Sequence, residues 1–96
     1  MALGQQLRAA RLQRQLTTSQ VAAATRMKIQ MVEAIEREDF ARIPAPIYGK
    51  GFIRLYAELV GLDPRPLIEE YLARWVEWTA APVVDHQKLA RHFGVL

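Results

Sequence analysis

Cysteine is absent from all 96 residues, which excludes disulfides and thiolate metal sites and fits a reducing compartment. No apolar run approaches the ~20 residues that a membrane-crossing helix needs, although 51% of the chain is hydrophobic. The opening stretch, MALGQQLRAARLQRQL, alternates polar and apolar residues at helical spacing. It lacks the unbroken apolar core and small-residue cleavage site of a secretory signal, so export is not expected and a cytoplasmic location is. Sustained period-two alternation is missing too, which removes the strand pattern. There is no glycine-rich phosphate loop and no activated nucleophile. Residues 1–32, finally, contain no acidic side chain at all.

What is present is basic and helical. The formal net charge is +3, a balance that on its face favours a polyanionic partner. Its distribution is uneven: Arg8, Arg11, Arg14, Arg26 and Lys28 fall before residue 33, whereas Glu33, Glu36, Glu38 and Asp39 crowd around a single Arg37. The positive character therefore belongs mainly to the first helix.

Apolar residues recur at steps of three and four, which predicts an all-α chain. A first helix is expected over Leu3 to Gln15, with Leu3, Leu7 and Ala10 inward and Arg8 and Arg14 in solvent. Thr17 and Gln20 have the spacing of a capping box for a second helix ending near Thr25. A third spans Lys28 to Arg37, with Val32, Ile35 and Met31 on its apolar side. Pro44 and Pro46 then exclude helix until Pro46 can open a fourth, from Ile47 to Val60, with Gly61 placed to end it. Asp63 and Pro64 start a fifth, which carries Leu67, Tyr71, Trp75 and Trp78 on one stripe. "TAAP" stops it, leaving a domain over 1–80 and a tail over 81–96 in which Asp85 can cap one short helix.

The fourth helix has more apolar surface than one core contact requires. At about 100° per residue, Tyr48, Phe52, Ile53, Leu55, Tyr56, Leu59 and Val60 spread over roughly 160°, against the ~100° of a single buried stripe. Lys50, Arg54 and Glu58 set a narrow polar side. Ile53, Tyr56 and Val60 are expected in the core, and Tyr48, near the start of the helix, is hardest to place there. Gly49 and Gly51 each weaken the helix by about 1 kcal/mol relative to alanine, which fits a backbone or partner approaching closely.

The words "LRAARLQRQLTTSQVA" and "VEAIEREDFARIPAPIYGKGFIRLYAELVGLDP", with the spacing between them, resemble the Xre or phage-repressor superfamily, and more closely its RodZ branch. The resemblance covers residues 3–72. It implies a five-helix, lambda-repressor-like helix-turn-helix bundle, here with a C-terminal helical tail. It implies as partner the bacterial actin MreB, met through aromatics at Tyr48 and Phe52 with the basic Lys50 and Arg54 beside them. It also implies a structural ion pair between Arg11 and Glu36. Members of that branch usually continue into a basic linker, one membrane-spanning helix and a periplasmic part. The chain is therefore expected to be either a segment of such a protein or a soluble relative.

The alternative function is transcriptional regulation, with Arg26, Lys28 and Gln30 as the DNA contacts. The expected base-reading positions fall on Lys28, Ile29, Gln30, Glu33 and Ala34. Only Lys28 and Gln30 can pair with a base edge, Ile29 and Ala34 can at most touch a thymine methyl, and Glu33 and Glu36 put negative charge near phosphates. Thr18 stands where many DNA-binding members grip a phosphate. Arg26 stands where they turn on a glycine, which predicts a less tight turn. Catalysis has little to work with: His86 and His92, six apart, do not share a helix face as a metal pair at i and i+4 would, so no metal, no cofactor and no enzymatic activity are expected. A homodimer through Trp75, Trp78 and Phe93 is compatible with either function.

Overall fold

The computed structural model describes residues 1–43 and 46–80. Along them run α1 (Leu3–Gln13), α2 (Thr18–Thr25), α3 (Ile29–Arg37), a 3₁₀ turn (Phe40–Arg42), α4 (Pro46–Leu59) and α5 (Pro64–Ala80). Among the described residues there is no strand, and the expected all-α, five-helix bundle is what forms. The expectations for the side chains of Trp75 and Trp78, and for the tail with Asp85, His86, His92 and Phe93, lie outside the described residues and side chains.

Local chemistry sets the helix ends. The Thr17 hydroxyl accepts from the Gln20 N–H at 3.1 Å while the Gln20 side chain accepts from the Thr17 N–H at 2.8 Å, so two amides that α2 cannot satisfy internally are bonded. Asp63 accepts from the Arg65 N–H at 3.1 Å and pairs with its guanidinium. The hydrogen bonds from Arg65, first of all those of its side chain and then that of its backbone N–H, hold the Asp63 carboxyl below its ordinary range. Gly61 follows α4 with φ 79°, the left-handed conformation expected of it.

Two details differ from expectation. The first helix ends at Gln13 because the chain reverses through Gln15, at φ 57°. The turn between α2 and α3 is not loosened by the lack of a glycine: Arg26 itself takes the left-handed conformation, at φ 59°. The Met27 N–H then reaches the Ala22 carbonyl at 3.1 Å, so the turn closes as a glycine would close it, at a cost of about 1–2 kcal/mol for a side chain in that region.

Packing joins α1 to α3 and α5, α2 to α3 and α4, and α4 to α5. Leu3, Leu7, Val21, Val32, Ile35, Ile53, Tyr56 and Tyr71 are the large side chains fully removed from solvent. Gly4 lets α1 lie directly on the end of α3, since a Cβ there would stand 2.5 Å from the Glu36 carbonyl oxygen.

The start of α1 has neither a capping side chain nor an acidic residue in its first turn. Its free amides are met from elsewhere in the fold: the Leu3 N–H donates to Glu70 of α5 at 2.8 Å, and the Gly4 N–H to Glu38 at 3.2 Å. Carboxylates at a helix N-terminus are favourable by about 0.3–1 kcal/mol each, more when partly buried. Glu38 is also ion-paired with Arg74, whose guanidinium lies 5.2 Å from the centre of the Phe40 ring. Phe40 in turn meets Tyr71 edge to face at 5.0 Å.

Candidate functional site

The fold divides the apolar arc of α4 into three zones. Ile53, Tyr56 and Val60 are buried; Phe52 and Leu59 are half-buried and lean on the core; Tyr48 and Leu55 remain 56% and 45% exposed. In angle these zones run in order around the helix, so the excess width of the arc is what faces solvent. Ile47, 74% exposed, extends the bare surface toward the start of the helix. Phe52 is thus not a free ring like Tyr48: part of its surface is already used in the core. Sequence reasoning placed neither Ile47 nor Leu55 in the site, although the exposed flank of the 160° arc contained Leu55.

Lys50 and Arg54 are exposed on the flank beyond Ile47, roughly 120–160° around the helix from Tyr48 and Phe52. The described residues form five ion pairs, Arg11–Glu36, Arg37–Glu33, Arg42–Asp39, Arg65–Asp63 and Arg74–Glu38, and none of them uses Lys50 or Arg54. Two cations without a carboxylate among the described residues therefore edge an apolar patch. Such a patch can bury its rings against a partner while the cations select for acidic neighbours.

Arg11 and Glu36 sit elsewhere. Arg11 is 8% exposed and grips Glu36 with both prongs, Nε to Oε2 at 2.7 Å and a terminal nitrogen to Oε1 at 3.0 Å, while its other terminal nitrogen donates to the Leu16 carbonyl at 3.0 Å. The Tyr56 hydroxyl donates to the same Oε2 at 2.5 Å. One carboxylate on α3 thereby holds α1 and α4. Its hydrogen bond raises the Arg11 pKa, and burial, then the bond to Glu36, pushes the Tyr56 hydroxyl well above its ordinary value of 10.0. Beside this pair an open cleft of about 360 Å³ is lined by Arg8, Arg11, Glu33, Glu36 and Arg37. Three arginines against two glutamates give it no single sign.

On the helix-turn-helix face, Arg26, Lys28 and Gln30 are all exposed. Ala34, however, is 4% exposed and Ile29 packs against the core, so the thymine-methyl contact expected of Ala34 is sterically closed. Glu33 and Arg37 lie 3.9 Å apart across one helical turn. What α3 offers to a groove is a lysine, a glutamine and a weak ion pair. Among the described residues no three His, Cys, Asp or Glu side chains gather as metal ligands, and no helix is long and apolar enough to cross a membrane.

Residues 6–67 match the family model of a helix-turn-helix domain, and the chain belongs to that family. Over 69 residues it is 33% identical to the cytoskeleton protein RodZ of Streptococcus pneumoniae (strain ATCC BAA-255 / R6), an overlap of 72% of this chain and 25% of that one. It is also 41% identical over 49 residues to the uncharacterized membrane protein YmfM of Bacillus subtilis (strain 168), covering 51% of this chain and 17% of YmfM. The chain thus spans a quarter or less of the length of these relatives, and what it holds is a RodZ-like helix-turn-helix domain. No solved structure gives a significant match.

Proposed function

We propose that this domain is a non-catalytic docking module on the cytoplasmic side of the cell, binding an actin-like filament protein of the MreB type. It does so through Tyr48 and Phe52 on α4, with Lys50 and Arg54 engaging the partner from the flank beyond Ile47. The observation that carries this is the bare edge of α4: a tyrosine 56% exposed alongside two exposed aliphatic residues, Ile47 and Leu55, edged by cations that form no ion pair with a described carboxylate. The likeness to a relative named a cytoskeleton protein supports it, as does the sparse set of base-reading groups on α3.

In such an interface Tyr48 is the anchor, because its ring loses water only on binding and its hydroxyl can remain at the rim. Phe52 contributes less new burial and more shape, since the core already covers part of it. Lys50 and Arg54 accelerate encounter and fix register.

The test is a paired titration of residues 1–96 against polymerised MreB-type protein from the same organism and against mixed duplex DNA at ~150 mM salt, where non-specific DNA binding is weak. The expected outcome is co-sedimentation with the filament, weakened about 30-fold or more by Tyr48→Ala, as for an interface anchor. Lys50→Gln with Arg54→Gln should slow association and flatten its salt dependence. Tight DNA binding abolished by Gln30→Ala, with no filament binding, overturns the proposal.

A further inference from the structure

Gly49 and Gly51 lie two residues apart in one helix, and the fold accounts for only the first. Gly49 is buried, and a Cβ there would collide with the hydroxyl and ring of Tyr71 across the α4–α5 contact. Gly51 is exposed, and a Cβ there would meet no atom within 4 Å. Glycine inside a helix is destabilising relative to alanine, so within the described fold nothing offsets the lack of a side chain at position 51.

Its surroundings indicate what does. Ile47 and Leu55 stand one turn before and one turn after it on the same strip of helix surface, and they are 74% and 45% exposed. Between two projecting aliphatic side chains the helix surface drops to bare backbone. Tyr48 borders this notch on one side, and Lys50 and Arg54, unpaired among the described residues, border it on the other. Glu58, exposed one turn beyond Arg54, closes the cationic edge.

We infer that Gly51 forms a notch in which the docking partner seats one apolar side chain directly on the α4 backbone, between Ile47 and Leu55. The partner's surface there is an apolar ridge flanked by carboxylates, which face Lys50 and Arg54. This rests on the docking function proposed above and adds the chemistry of the surface that α4 receives.

The substitution Gly51→Ala separates fold from docking, because its two effects run in opposite directions. In the free chain it should raise Tm by about 4–8 °C, the shift that removing a helical glycine produces in a domain of this size. Toward polymerised MreB-type filaments it should weaken co-sedimentation about tenfold, since a methyl group then occupies a close-packed contact. Gly49→Ala is the control and should lower Tm. Gly51→Ala that binds as the wild type does sinks the notch while leaving the docking function standing, provided Tyr48→Ala still weakens binding about 30-fold or more. A wild-type chain that does not bind the filament overturns both. A lower Tm for Gly51→Ala shows that the monomer itself needs this glycine and also overturns the inference.

Discussion

Replacing Tyr56 by phenylalanine isolates one hydroxyl and leaves its ring in place. That hydroxyl donates to Oε2 of Glu36 at 2.5 Å, and Tyr56 is fully buried. A hydrogen bond to a charged group contributes about 1.5–3 kcal/mol. The void left behind is the size of one oxygen, and Glu36 keeps both bonds from Arg11, so no buried charge is stranded. The expected loss is therefore about 2 kcal/mol, short of the ~3–5 kcal/mol for removing one member of a buried ion pair. In a domain of this size that lowers Tm by roughly 8–16 °C. Urea unfolding followed by far-UV circular dichroism should show a lower midpoint with an unchanged slope. Arg11→Met, which strands Glu36, should cost more than Tyr56→Phe under the same conditions. A loss below about 0.5 kcal/mol for Tyr56→Phe, or an Arg11→Met variant as stable as it, would refute the claim that this carboxylate ties α1, α3 and α4 together.

Gly4→Ala should destabilise the domain by about 1–3 kcal/mol, because the new methyl is driven into the backbone of α3 rather than into a side chain that can swing away; thermal melts measure it directly. Arg26→Gly should gain about 0.5–1 kcal/mol by relieving the left-handed arginine, and a melt no higher than that of the wild type would contradict it. Burial raises the pKa of Tyr71, and burial with the bond to Glu36 raises that of Tyr56. A raised folded-state value means that this stability is complete below the unfolded pKa near 10 and is lost as pH climbs through the folded one. A spectrophotometric titration should accordingly show phenolate absorbance from these two rings appearing together with loss of helical signal above about pH 10.

The elements that could be found in the sequence are those whose chemistry is local. The Thr17–Gln20 box needs partners only three residues apart, and the apolar spacing that predicts α4 also measures its excess width. Which flank of that width stays bare depends on where α5 and α2 pack, so Ile47 and Leu55 became part of the site only once the fold was known. The two glycines of α4 look alike in the sequence, and only the position of Tyr71 tells them apart. Of the acidic run from Glu33 to Asp39, the sequence puts Glu33 and Glu36 near the phosphates of a bound duplex. In the fold Glu36 forms the ion pair with Arg11 that the resemblance implies, and Glu38, for which no role was expected, receives the Gly4 amide. Gly4 and Glu70 carried no signal because their partners, Ile35 and Glu36 for the one and Leu3 for the other, lie far away in the sequence.

The bond from the Leu3 amide to Glu70 also has a consequence in time. The two residues are separated by 67 positions, so during synthesis the first turn of α1 gains this partner only after α5 has emerged. The grip of Glu36 on Arg11, 25 positions apart, can tie α1 to α3 well before that. A late stall in synthesis would thus leave α1 anchored to α3 with one amide at its first turn unmet.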